Sequence, residues 1–126
     1  MSVLKIAVPL VALLIGSWLC YDGLRAFQKG DYTTPSSGPH AGQLGPWTRV
    51  VSLFGVDPRG MLMKTVHVAL GVFWLTAAFY FVTKPHLGWM MLVVCSISSL
   101  WYLPIGTVLA TVELILLFLP QIKNLR

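Results

Sequence analysis

Glu113 is the residue whose type and position most suggest chemistry. It lies inside the apolar run Thr107-Val108-Leu109-Ala110-Thr111-Val112-Glu113-Leu114, where an ionisable side chain is costly and is by default a candidate functional residue. An ionised carboxylate in hydrocarbon costs several kcal/mol even after relaxation, so such a group must be neutral, paired or hydrated. His67 falls inside a second apolar run, and Lys64 precedes it by one helical turn on the same face. Lys64, His67 and Glu113 together would make a track along which protons could move. A third run carries Cys95, Ser96, Ser98 and Ser99, small groups that let helices approach and that donate hydrogen bonds across a bundle. The expectation is that Glu113 faces inward and finds a hydrogen-bond partner among His67, Ser96, Ser99 or Lys64. The same residues would also serve as a purely structural network, and packing is the weightier reading of the serines.

A neutral imidazole inside a membrane span is a natural axial ligand for a haem or a chlorophyll-type pigment. A haem held by two histidines needs a second imidazole at matching depth, and His40 and His86 both fall outside the apolar runs. No cofactor is therefore predicted, although a single-ligand pigment at His67 or a bound lipid is compatible with the sequence. Cys20 and Cys95 sit in apolar stretches with no CxxC or Cys/His spacing, so they read as small packing residues and no metal site is expected. None of the motifs GxSxG, HExxH, the P-loop or the dinucleotide fingerprint appears, and no carboxylate pair lies in the apolar runs. Enzymatic activity is not expected.

The elements that must position these residues follow from composition. Of 126 residues, 56% are hydrophobic and 10% charged, where an ordinary soluble domain has about 25% charged residues. So few charges cannot coat a water-facing globule. The net charge of +5 comes from singly scattered cations, which suits flanks of membrane spans better than a phosphate-tracking surface, so nucleic-acid binding is excluded. The fold class expected is an all-α integral membrane protein. A single membrane domain would form a four-span transmembrane helical bundle, with one ordered-looking extramembrane loop carrying a short amphipathic helix.

A bilayer core takes about 20 apolar residues per helical span. The first span is predicted over about 3–26, uncleaved, with Tyr21, Asp22 and Arg25 marking its passage into the headgroups and Gly30 as a stop. The second is predicted over about 58–82, with Asp57 as N-cap and Pro58 at the first helical position. Thr83-Lys84-Pro85-His86 makes a tight turn into a third span over about 87–103, and the fourth covers about 104–119. Read as one helix, Leu87 to Leu119 would be about 50 Å long, well beyond a core of about 30 Å. A turn around Leu103-Pro104-Ile105-Gly106 is required. Three spans with a re-entrant or surface-lying last segment is the alternative.

The extramembrane loop covers about 30–56 and is rich in Gly, Pro, Ser and Thr. Within it Trp47, Val50, Val51 and Phe54 follow helical spacing after Gly45-Pro46, with Gly55 at the end. That helix would either lie on the membrane surface with Trp47 at headgroup level or fold its apolar side chains onto the bundle. Trp47, Trp89 and Trp101 are expected as interfacial anchors, like most aromatics near the span ends. An even number of spans puts both termini on one side with the Lys84 turn. Basic residues divide almost evenly between the two sides, and the expectation leans to cytoplasmic termini, including Lys5, Lys123 and Arg126. Depth counted from Asp57 and from Pro104 brings His67 and Glu113 level. The function expected is a small accessory or scaffold subunit of a larger membrane complex, such as a respiratory or photosynthetic one. The alternative is a small proton-coupled transporter or permeation unit using Glu113 and His67.

Overall fold

The computed structural model describes residues 3–39, 41–102 and 104–123. The sequence-based readings of His40, Leu103 and Arg126 lie outside the described residues. The described residues are helical without a strand. Helix α1 covers Val3–Lys29, α2 Trp47–Leu53, α3 Met61–Thr83, α4 Pro85–Ser98, α5 Ile105–Leu117 and α6 Pro120–Lys123. Two of them, α1 and α3, are long and apolar enough to cross a membrane.

The reason these four main helices associate is written in their spacing. Buried residues recur along α1 at Val8, Ala12, Ile15, Leu19, Asp22 and Ala26, and along α3 at Met63, His67, Leu70, Trp74, Ala77 and Phe81. Alternating steps of four and three form the seam of a left-handed bundle. The shorter helices repeat it with Gly88, Leu92 and Cys95 on α4, and Gly106, Ala110, Glu113 and Leu117 on α5. Outward positions such as Leu10, Leu14, Val72, Phe79, Val94 and Ile115 are exposed and apolar. Helix α1 packs on α3 and α5, and α4 packs on α3 and α5, so the four form a ring in which α3 and α5 stand diagonally. The α1 and α3 backbones cross closely at Gly16 and Gly71.

The boundaries differ from those expected. Helix α1 continues to Lys29 and stops at Gly30 with φ of 85°. Asp57-Pro58-Arg59-Gly60 is a turn rather than a helix start: the Gly60 N–H donates to the Asp57 carbonyl at 3.0 Å, and Gly60 takes the N-cap position of α3. Arg59 pulls that turn onto the loop by donating from Nε to Asp31 Oδ1 at 3.0 Å and from its terminal nitrogen to the Gly42 carbonyl at 3.1 Å. Helices α4 and α5 end early, at Ser98 and Leu117, and span about 21 and 20 Å against about 34 Å for α3. Their connecting turn therefore stops short of the loop end of α3, and the loop fills the space above it.

Trp74 Nε1 donates to Ser99 Oγ at 2.9 Å, both groups buried, while the Ser96 hydroxyl donates to the Leu92 carbonyl of its own helix at 2.8 Å. Ser99→Ala, which strands the indole N–H, should lower stability by about 1 kcal/mol, whereas Ser96→Ala should be close to neutral. Thermal midpoints of the two purified variants, compared in one detergent, check this.

Candidate functional site: an aromatic chamber at the loop end and a buried carboxyl beneath it

The loop is anchored by two residues of the last turns of α1. Asp22 Oδ1 accepts the Thr33 N–H at 2.6 Å, and Arg25 donates to the carbonyls of Asp31 at 2.9 Å and Tyr32 at 2.6 Å. These bonds turn the chain back along α1 and drive Tyr32 into the bundle. Asp22 and Arg25 thus hold the loop, and Asp22 is only 3% exposed.

Helix α2 adds Trp47 and Val51 from above, both buried, while Leu53 and Phe54 at its end are 86% and 81% exposed. The helix therefore folds Trp47 and Val51 onto the bundle, and Trp47 is an inward-packed residue. Trp101 packs inward as well, against Trp47, His67 and Tyr102. Trp89 donates to the Leu117 carbonyl at 2.7 Å and lies edge-on to Phe118, tying the far ends of α4 and α5.

His67 is the hub of the chamber. Ring centroids of Tyr32, Trp47, Tyr102 and Trp101 lie 4.6, 4.9, 5.3 and 5.9 Å from its own. Its Nδ1 is 2.8 Å from the Met63 carbonyl, an acceptor only, so Nδ1 carries a proton. Nε2 is buried with no hydrogen-bond partner among the described residues. A tetrapyrrole at Nε2 would have to displace Tyr32, Trp47 or Tyr102 from these positions. Beside the rings lies a pocket of about 100 Å³ lined by Trp18, Asp22, Tyr32, Thr33, Trp47 and Tyr102 among others. Trp18 Nε1 donates to the Tyr102 hydroxyl at 2.7 Å. The Tyr32 hydroxyl is buried and has no partner among the described residues. Burial, reinforced by Asp22 and Asp31, pushes the Tyr32 phenol up, so it stays a neutral donor.

Comparison with family models, with curated proteins and with solved structures gives no match.

Glu113 faces inward, fully buried, within electrostatic range of Cys95. No hydrogen bond reaches either carboxyl oxygen from the described residues, which corrects the expected pairing. Ser96 is spent on Leu92 and Ser99 on Trp74. Lys64 is half-buried and forms no ion pair among the described residues, where Arg59 and Asp31 make the one such pair. His67 stands on the diagonal helix and at another depth. Equal depth would need Pro104 level with Asp57, but Tyr102 packs against His67, about 9 Å down α3, and Glu113 follows about 12 Å beyond the start of α5. The structure therefore separates His67 from Glu113 and joins His67 to Asp22, Tyr32, Trp47 and Tyr102.

From sequence Asp22 reads only as a span-boundary marker, and Tyr32 does not stand out. Asp22 had a signal: it sits on the same four-three seam as Val8, Ala12, Ile15 and Leu19, where a carboxylate must turn inward. Tyr32 had none, because its burial depends on the Arg25 bonds to the loop backbone.

Proposed function

We propose that this chain is an integral membrane protein whose four main helices cross the bilayer, α4 and α5 as shortened spans closed by the folded loop. Its role is that of a small accessory subunit packed against a larger membrane complex. The observation that carries this reading is the α4–α5 pair: helices of about 20 Å with the exposed apolar residues Val94, Ile97, Val108, Val112 and Ile115. A bilayer core of about 30 Å mismatches that length by several ångströms, a strain relieved by local thinning or by helices of a partner. A shallow recess of about 350 Å³ formed by Pro104, Ile105, Val108 and Leu109 lies on the same face. The irregular turn above it is tolerable at membrane depth because the loop and α2 cover it.

Extraction from native membranes in mild detergent, followed by crosslinking, is expected to give a species larger than the monomer. Val108→Trp on the α5 face should shift it toward monomer. A lone monomer in every detergent, unchanged by Val108→Trp, would refute the reading. The competing permeation route would need polar continuity between His67 and Glu113, which stand on the diagonal helices α3 and α5 with no hydrogen bond to Nε2 or to either carboxyl oxygen among the described residues.

A further inference from the structure

We propose that the loop-end chamber is a binding site for a small organic cation of the quaternary-ammonium class, a trimethylammonium head carried either on a lipid or on a free solute. Asp22 is the charged group of the pocket lining. Its carboxylate is 3% exposed and lines the pocket, and Oδ1 accepts the Thr33 N–H at 2.6 Å. No Lys, Arg or His forms an ion pair with it among the described residues. Arg25, one turn along α1, spends its guanidinium on the Asp31 and Tyr32 carbonyls, so a cation in the pocket would supply the ion-pair partner that this buried carboxyl lacks.

The remaining walls select the kind of cation. Trp18, Tyr32, Trp47 and Tyr102 surround the space, and aromatic faces attract diffuse positive charge at ranges of about 6 Å. Their mutual placement is fixed, with Tyr32 edge-on to Trp47 at 5.4 Å, Trp47 at 5.8 Å from Tyr102, and Trp18 bonded to the Tyr102 hydroxyl. A hard cation such as calcium or magnesium requires six or so oxygen ligands. Here one carboxylate and a few hydroxyls face aromatic carbon, and no cluster of three His, Cys, Asp or Glu exists among the described residues. A quaternary ammonium needs no such shell. Its methyl groups pack on the rings, and a volume of about 100 Å³ is of the size of such a head. The unpartnered Tyr32 hydroxyl is a donor that can meet an oxygen attached beyond the head. His67 packs behind the rings of Tyr32, Trp47 and Tyr102 with its Nδ1 proton committed to Met63, and it is not part of the pocket lining.

The test uses the full chain in nanodiscs of phosphatidylglycerol, which contain no choline, with tetramethylammonium chloride as probe. Saturation transferred from aromatic protons to the probe methyls is expected, and it should titrate to a plateau. Asp22→Asn keeps an oxygen for the Thr33 N–H and should weaken binding about tenfold or more. tert-Butanol, of like shape without the charge, should give no saturable transfer and makes the test independent of any variant's folding. Nanodiscs of phosphatidylcholine distinguish the sources: loss of the probe signal there identifies the lipid head as ligand, and an unchanged signal identifies a free ammonium. A probe signal that never saturates, or one equal for tert-butanol or for well-folded Asp22→Asn, would overturn the proposal.

Discussion

Gly71→Leu is expected to drive α1 and α3 apart and to cost about 3 kcal/mol or more, at the upper end of what overpacking does. Atoms of α1 crowd the glycine. A Cβ at position 71 would lie 2.7 Å from the Cys20 backbone nitrogen and 2.8 Å from the Gly16 carbonyl oxygen. Both neighbours are backbone atoms, so no side chain can swing aside to make room. The α1–α3 pair is the longest in the ring, and the Asp22 and Arg25 anchors at its loop end depend on the same alignment. The loop would therefore loosen with the helices, and proteolysis between Pro35 and Gly45 should accelerate in the variant. Ala69→Leu, on the exposed side of α3, adds the same bulk and should change little. The check is a comparison of thermal midpoints and of limited proteolysis for the two variants. Wild-type behaviour of Gly71→Leu would mean that the two backbones do not cross there.

Helix content and the existence of four apolar segments were legible because apolar runs and their Gly, Pro and charged boundaries are local features. The structure sets Asp22, His67 and Glu113 on the four-three seams of α1, α3 and α5. The inward direction of Glu113 could be expected from the cost of an ionisable group in an apolar run. Its partners could not. Depth was counted from Asp57 and Pro104 as though both lay at one surface, but the length of α4 sets where the second turn falls. That length is limited by Tyr102, Trp101 and Trp47 packing over the turn, contacts between residues far apart in the chain. Composition likewise marked residues 30–56 as irregular. It did not reveal that Arg25 and Arg59 would bind the loop's carbonyls and Asp31 and so press an aromatic lid onto His67. Trp47 shows the same limit from the other side, since an interfacial tryptophan and a buried lid tryptophan look identical in a short amphipathic segment.

Glu113→Met should raise stability, by about 1–3 kcal/mol, the cost of leaving a buried polar group without partners. The carboxyl is enclosed between the α5 seam residues Ala110 and Leu117 and faces Cys95, with neither oxygen hydrogen-bonded by the described residues. Methionine matches its length and adapts to the surrounding shape, so little packing is lost while the desolvation cost disappears. Glu113→Gln keeps a polar head and should recover less. Buried polar groups of this kind persist where something other than stability selects them, such as helix register or proton handling. The sign of the change shows whether the carboxyl costs stability or is satisfied inside the fold. A thermal midpoint that rises in Glu113→Met, with an unchanged crosslinked species, identifies a group that costs stability and is not needed for assembly. Helix register and proton handling would then be separated by proton flux in reconstituted vesicles, which Glu113→Gln abolishes only where the carboxyl carries protons. A midpoint that falls would mean that the carboxyl is satisfied inside the folded protein, and Glu113 would then be a packing determinant of the α4–α5 pair.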